Sequence, residues 1–543
     1  MRIAGASERV VIMLLGLGAV GGASGQITPV QQAKIKASDA SSKDSFGSSI
    51  AVWGDTAVVG AEHHDLSIES PLDEGAAYVF VRSDTAWTQQ AQLVASDAAA
   101  ADAFGHAVAV WGDTVAVGAW RDDHGGDADA GSVHVFVRNG TVWSEQAKLT
   151  AIDASMGDQF GRAVAMAGDT LVVGAPGDDP HGTTDAGSVH VFVRNGTAWK
   201  QQVRLAASDG AADDAFGCSV AVCDDTVVIG AVGSDPSDVF NAGAAYVFVR
   251  NGALWTEQAK LTTYHADAWD HLGVSVGVSG DTAVVGAKNA DMHPAPDCGA
   301  ACTYVRSGTT WTQQARLTAS DATYSDGFGI SVAVSGDTVV VGASEDDIGP
   351  TAKDAGSAYV FVRGASGWME QAHLIAHNSM EGDRFGAAIA VWGDTALVGG
   401  PQDDHVGGIE AGSGWVFTVG GFTDLGDGWP GDGGIPELTG TGTLVVGSDG
   451  SLALDNASPS TLSALVMSLA DTPSPFKSGT LHAVPVLSML MSATSPAGTW
   501  TQSWKHWPAG LPAGMKLCFQ SIVPDPGATQ GYALSNALQA LQP

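Results

Sequence analysis

Aspartate recurs at matching places in seven segments of the chain, and clustered carboxylates are ligands that calcium prefers. Each segment has a loop aspartate, often with a second acid directly before it and an acidic or polar residue six to eight positions later. The candidate calcium ligands are Asp122, Asp123, Asp127 and Asp129, then Asp178, Asp179 and Asp185, then Asp346, Asp347 and Asp354. The alternative is structural, because aspartate side chains accept backbone N–H hydrogen bonds in tight loops. Recurrence in every segment favours this alternative.

Other polar residues of the same loops do not recur, and these are the better candidates for specific recognition. The candidate ligand-binding residues are His63, His64, Trp120, Arg121 and Lys288. An exposed indole beside an arginine is a common anchor at interfaces. The alternative for Trp120 is that it packs on a neighbouring loop.

No catalytic constellation stands out. The chain contains no H-E-x-x-H and no P-loop lysine. Acidic pairs occur everywhere, so no single pair is marked for acid–base work. The sequence therefore predicts a protein that is not an enzyme. The rival hypothesis is an extracellular hydrolase with its site in a central channel or at a domain junction.

The elements that carry these residues repeat about every 56–58 positions. Phe-Gly, Asp-Thr and a tryptophan return in constant order, and each unit predicts four antiparallel strands. The Phe-Gly pairs begin at Phe46, Phe104, Phe160, Phe216, Phe328 and Phe385, with Leu272 in the fifth unit. Four-stranded units repeated radially describe a β-propeller, here with seven blades. The seventh unit lacks a tryptophan strand, and residues 31–35 match that strand, so the N-terminal strand is predicted to close the ring.

In such blades the second-to-third loops and the inter-blade links lie on one edge of the ring. The loop aspartates and a second series, from Asp44 to Asp383 in the links, therefore give that edge a negative charge. Arginines at the third-strand ends, such as Arg138, fall on the opposite edge.

Phe-Gly followed by Val-Gly-Ala-Pro at 173–176 resembles the FG-GAP repeat of integrin α-subunit propellers and, more closely, of bacterial FG-GAP repeat proteins. The resemblance covers about residues 26–420. It implies an extracellular ligand-binding module. Integrin calcium loops resemble D-x-D-x-D-G between the first two strands of a blade, where this chain has a Gly-Asp-Thr turn, so those calcium sites do not carry over.

Composition and the two ends of the chain indicate the partners, the domain boundaries and the location of the protein. A net charge of -35 disfavours nucleic acid and anionic membranes as partners. Residues 1–25 resemble a signal peptide, 26–420 form the propeller, 421–437 a Gly/Asp-rich linker, and 438–543 a small β-rich domain, predicted as a sandwich. We expect a secreted, extracellular, cell-surface or periplasmic monomer without a membrane span. It would be an adhesion or binding scaffold for a protein or glycan, with calcium as a candidate cofactor.

Overall fold

The computed structural model describes residues 30–66, 72–83, 86–291, 295–364, 367–393, 395–405 and 407–419, and a set of strands between 423 and 541. The predicted signal peptide, residues 1–25, and much of the predicted linker lie outside the described residues. No helix in the described part of the chain is long and apolar enough to cross a membrane.

Seven four-stranded antiparallel sheets form the blades of the predicted propeller. The blades are numbered in chain order, from β2–β5 to the seventh, which combines β26–β28 with β1. The propeller strands are β1 (Val30–Ile35), β2 (Ser49–Trp53), β3 (Thr56–Ala61), β4 (Ala76–Ser83), β5 (Ala86–Leu93), β6 (Phe104–Trp111), β7 (Thr114–Ala119), β8 (Ser132–Asn139), β9 (Val142–Leu149), β10 (Ala163–Ala167), β11 (Thr170–Ala175), β12 (Ser188–Asn195), β13 (Ala198–Leu205), β14 (Val220–Cys223), β15 (Thr226–Ala231), β16 (Ala244–Asn251), β17 (Leu254–Leu261), β18 (Leu272–Ser279), β19 (Thr282–Ala287), β20 (Ala300–Ser307), β21 (Thr310–Leu317), β22 (Phe328–Ser335), β23 (Thr338–Ala343), β24 (Ser357–Gly364), β25 (Gly367–Leu374), β26 (Ala388–Trp392), β27 (Thr395–Gly400) and β28 (Ser413–Thr418). Short 3₁₀ turns occur at Pro180–Gly182 and Pro236–Asp238.

The first strand of each blade lines the axis of the ring. These strands contact one another in sequence around a closed circle, and the last contact joins β26 to β2. Second strands such as β7, Thr-Val-Ala-Val-Gly-Ala, are buried throughout because strands flank them and other blades cover both faces. Fourth strands such as β9 lie outermost and are only partly buried.

The core is divided among the seven boundaries between blades. The cluster around Phe46, for example, combines Val59 and Tyr78 of the first blade with Leu397 and Val416 of the seventh. Each blade thus buries its apolar residues against its neighbours rather than in one central core, which is the arrangement of a repeat protein.

Packing at the blade boundary explains why phenylalanine and glycine occur as a pair. Phe104 is fully buried and meets the rings of His134 and Phe136 edge-on. Gly105 follows with φ of 97°, and a Cβ on it would lie 2.3 Å from the carbonyl oxygen of Ala76 in the preceding blade. A side chain at this position is therefore excluded both by backbone conformation and by the neighbouring blade.

The N-terminal strand closes the ring as predicted. β1 pairs with β28 at the outer edge of the seventh blade, and Ala33, Lys34 and Ile35 face Val416, Trp415 and Gly414. The register shift between Gln31 and Ala33 reproduces the bulge between the third and fourth strands of the other blades. Lys34 also reaches Oδ2 of Asp403 at 2.7 Å, so this strand is fastened by an ion pair as well as by the sheet.

Beyond the propeller, the described residues form three further antiparallel sheets. Their orders are β29-β38-β37-β32-β35, β30-β31-β36 and β33-β34. The strands are β29 (Thr423–Gly426), β30 (Glu437–Gly442), β31 (Gly450–Asp455), β32 (Leu462–Ser468), β33 (Asp471–Phe476), β34 (Gly479–Ala483), β35 (Val486–Ala493), β36 (Trp500–Trp504), β37 (Lys516–Pro524) and β38 (Tyr532–Leu541). The predicted sandwich and its boundaries stay predictions.

Candidate functional site

Two edges of the ring differ in chemistry. We call the edge with the second-to-third loops and the inter-blade links the acidic edge, and the edge with the Gly-Asp-Thr turns the turn edge. Antiparallel order in each blade places them at opposite ends of the strands. All candidate ligand and calcium residues from the sequence belong to loops of the acidic edge.

The loop aspartates act as hydrogen-bond acceptors for the backbone. In all seven blades the loop aspartate accepts the backbone N–H of the residue that closes the loop, and that residue has positive φ. The pairs are Asp65 with Asp73, Asp123 with Asp129, Asp179 with Asp185, Asp235 with Asn241, Asp291 with Asp297, Asp347 with Asp354, and Asp404 with Glu410. Each carboxylate thus stabilises a left-handed turn, as an Asx-type loop does.

The acids that precede the loop aspartates are buried and have partners on the third and fourth strands. Lys148 lies 2.5 Å from Oδ2 of Asp122. Asp178 pairs with Arg204 at 2.6 Å and accepts a hydrogen bond from Ser188. The corresponding acid of the sixth blade, Asp346, accepts a hydrogen bond from the hydroxyl of Tyr359 at 3.2 Å.

The link aspartates form a third structural series. Each accepts the backbone N–H of the residue three positions earlier, which bends the link onto the next blade. The acceptors are Asp44, Asp102, Asp158, Asp214, Asp270, Asp326 and Asp383. All seven side chains are buried. Burial raises the pKa of Asp102, Asp158, Asp270 and Asp383 to about 6.

The candidate calcium ligands are therefore engaged in contacts within the protein. Nine of the ten belong to the loop pairs or the buried acids just described, and Asp127 is exposed on the loop of the second blade. Among the described residues, no group of three or more His, Cys, Asp or Glu side chains is arranged to hold a metal ion.

The candidate recognition residues separate into three places. His63 is exposed, and its Nδ1 lies 3.9 Å from Asp73. His64 is buried rather than exposed at a loop tip. Its Nδ1 lies 3.1 Å from Oδ2 of Asp44, and its Nε2 contacts the side-chain amide of Gln92. Burial opposes its protonation, but the hydrogen bond and charge of Asp44 raise the net pKa of His64. The expectation that His64 lies exposed at the loop tip is therefore wrong.

Lys288 lines a cavity of about 250 Å³ at the boundary of the fifth and sixth blades. Asn289, Asp297, Ser344 and Glu345 contribute to the same wall. The volume lies below the range of about 300–1,000 Å³ that is usual for ligand pockets.

Trp120 and Arg121 form the centre of a denser cluster that also includes residues the sequence did not single out. Arg121 Cζ lies 4.4 Å from the centroid of the Trp120 ring. Arg162, from the third blade, places its Cζ 4.6 Å from the same ring. The ring of His106 lies 5.6 Å from it, and His106 Nδ1 is 2.6 Å from Oε2 of Glu62.

This cluster lies at the mouth of the axis on the acidic edge. His106 and Arg162 stand at the beginning of innermost strands, and Glu62 and Trp120 directly follow the second strands β3 and β7. Burial lowers the pKa of Arg162, and the charge of Glu62 acts in the opposite direction. The indole Nε1 of Trp120 is buried and has no hydrogen-bond partner among the described residues.

Arg162 and His106 carried a signal that sequence reasoning passed over. The residue after Phe-Gly changes from unit to unit, from Ser48 through His106, Arg162 and Cys218 to Val274. Since Phe-Gly begins the innermost strand, this variable position lies at the mouth of the axis.

The turn edge carries an aromatic cluster of its own. The rings of Trp53 and Trp392 are 5.6 Å apart, and Trp111 lies 5.9 Å from Trp53 and 6.2 Å from Trp392. The same position holds Ala167, Cys223, Ser279 and Ser335 in the other blades. At both ends of the axis, therefore, the residue types differ from blade to blade.

The FG-GAP repeat family matches seven consecutive stretches, residues 29–80, 87–136, 143–192, 199–248, 255–304, 311–361 and 368–417. These stretches make up more than half of the chain, and each contains most of one predicted unit. The chain therefore belongs to the FG-GAP repeat family, with an integrin-like seven-bladed propeller. Comparison with curated proteins gives no significant match. FG-GAP propellers are typically non-catalytic and suggest a ligand-binding or scaffold role.

Proposed function

We propose that this protein is a secreted, non-catalytic adhesion or binding scaffold that works as a monomer. It would present the acidic edge of its propeller to an extracellular protein or glycan. The observation that carries the proposal is the contrast between two kinds of residue on that edge. The aspartates repeat in every blade and serve the backbone, whereas Trp120, Arg121 and Arg162 occur once and converge at the mouth of the axis.

Local asymmetry on a constant framework is what a recognition surface requires. Arg121 is exposed and Trp120 is partly exposed, so a partner can reach both. Interface energy is concentrated in a few tryptophan, tyrosine and arginine residues. Calcium, as a candidate cofactor, would have to share carboxylates that already accept backbone hydrogen bonds in the loops. We propose that these carboxylates stabilise the loops without calcium.

The test is a binding screen of extracellular proteins and glycans, run with calcium and with a chelator. The variant W120A/R121A is expected to lose the partner that the native protein captures, with little change in melting temperature. The matched control is K288A/N289A, because Lys288 and Asn289 occupy the same two positions in the fifth blade. Loss of binding in neither variant would place the recognition site elsewhere, and equal loss in both would extend it from the mouth of the axis to the loop of the fifth blade.

A further inference from the structure

Nearly all arginines in the described part of the chain have an ion-pair or hydrogen-bond partner within the protein. Six of them extend from the third strands to the aspartates of the Gly-Asp-Thr turns, as Arg138 does to Asp113 at 2.6 Å. Arg204 pairs with Asp178, Arg384 with Glu345, and Arg316 donates to the carbonyl oxygen of Asp291.

Arg121 and Arg162 are the exceptions among the described residues. Neither guanidinium makes an ion pair or a hydrogen bond there, although the protein carries a net charge of -35. Both lie over the ring of Trp120, which restrains their side chains without using their N–H donors. The charge of Glu62 acts on Arg162, but Oε2 of Glu62 lies 2.6 Å from Nδ1 of His106.

From this arrangement we infer that Arg121, Arg162 and Trp120 bind a carboxylate of the partner. Guanidinium groups recognise carboxylates through paired N–H donors. The unpartnered Nε1 of Trp120 is one more buried donor in the same cluster. The inference rests on the proposed function and adds the chemistry of the recognised group.

The surroundings favour a single acidic side chain of a protein over a polyanionic glycan. Two guanidinium groups already lie over the Trp120 ring, which is itself only partly exposed, so less of the indole is left for a sugar to stack on. Asp123, Asp127 and Asp129 are exposed on the loop that follows Arg121, and they repel further negative charge within a Debye length of about 8–10 Å. A single carboxylate meets less of this repulsion than a row of carboxylates does.

The test is chemical labelling of arginine on the full chain. Phenylglyoxal modifies accessible guanidinium groups, and mass spectrometry locates the products. The probe is a glutamate blocked at both backbone ends, and the matched control is the blocked glutamine. We expect the glutamate probe at about twice its dissociation constant to slow modification of Arg121 about threefold, because one third of the sites stay free. Arg138, already paired with Asp113, serves as the internal reference.

Equal protection by the two probes, or protection by neither, overturns the inference. Stronger protection by a polyuronate glycan than by the glutamate probe overturns the assignment to a protein partner. R121Q/R162Q is expected to abolish binding of the glutamate probe. W120F, which keeps an aromatic ring beneath the guanidinium groups but removes the indole N–H, is expected to weaken it. Melting curves show whether R121Q/R162Q is folded, and R121Q alone, at an exposed residue, provides the second test. A partner from the screen that needs Trp120 and Arg121 but binds equally well after its acids are neutralised would contradict the carboxylate inference and leave the proposed function standing.

Discussion

At the scale of single residues, repetition distinguishes structural from recognition roles. A carboxylate that recurs in every blade accepts a backbone hydrogen bond that every blade requires, as Asp123 does from the N–H of Asp129. A residue that occurs once, such as Trp120, meets no general need of the blade.

The first prediction separates the structural role of Asp123 from calcium binding. D123N keeps an oxygen acceptor for the Asp129 N–H and is expected to melt like the native protein. D123A removes the acceptor and should lower the free energy of unfolding by about 1 kcal/mol. Denaturant unfolding in calcium and in chelator measures both variants. A drop for D123N that occurs in calcium alone would mean that the loop binds the ion.

The second prediction concerns the glycine of the Phe-Gly pair. G105A is expected to destabilise the protein by about 3 kcal/mol or more, since it adds a left-handed strain of about 1–2 kcal/mol to a clash with the Ala76 carbonyl. The control is G112A, whose φ of 57° is also positive but whose surroundings are open within 4 Å. It should cost about 1–2 kcal/mol, and equal losses in the two variants would show that backbone strain alone makes Gly105 necessary.

At the scale of strands and blades, one set of contacts is repeated across the boundaries. Arg138 donates to Asp113 of its own blade and to Thr56 of the preceding one, and Trp143 donates to Gln90. The closing boundary keeps the arginine bonds, from Arg82 to Asp55 and Thr395. It lacks the tryptophan bond, because Nε1 of Trp87 has no partner among the described residues and Gln32 instead donates to Thr418.

The third prediction tests that closure. Deletion of residues 30–35 removes the outer strand of the seventh blade and exposes the edge of β28, so we expect broad thermal unfolding and aggregation. A synthetic peptide of residues 30–38 added in excess should bind the open edge and raise the melting temperature again. A truncated protein that melts as sharply and as high as the native one would contradict closure by this strand.

At the scale of the whole molecule, acid is concentrated on one edge and partly buried there. Seven buried link aspartates stand in a ring, and the pKa of four of them is raised to about 6 by burial. A carboxyl group with a raised pKa takes up a proton more readily in the folded than in the unfolded chain. It therefore stabilises the fold at low pH, and this contribution is lost as the pH rises through about 6.

The fourth prediction is the pH dependence of the melting temperature that these raised pKa values imply. The melting temperature should rise as the pH falls from about 7.5 to about 5, where the link aspartates take up protons. Below about pH 4 it should fall, since Asp178 and Asp346 have lowered pKa values and lose their ion pairs and hydrogen bonds when protonated. D102N removes one titrating group and should flatten the rise. A melting temperature that declines steadily from neutral pH to pH 5 would contradict the raised pKa values.

The sequence by itself determined the number of blades, the four strands of each and the strand that closes the ring. These properties are periodic, so seven imperfect copies of Phe-Gly, Asp-Thr and tryptophan report the same local structure independently. The roles of the aspartates were also accessible, because each accepts a hydrogen bond from a residue three to eight positions away in the same loop.

Only the tertiary structure decided which unique side chains meet. Trp120 and Arg162 are 42 positions apart in the chain and belong to different blades, yet the closed ring stacks one on the other. His64 follows an exposed residue in sequence, but it is buried against Tyr78 and Gln92 of its own blade and Asp44 of the preceding link. Contacts across a blade boundary depend on distances that a repeat pattern does not contain, and therefore the candidate site emerged from the fold.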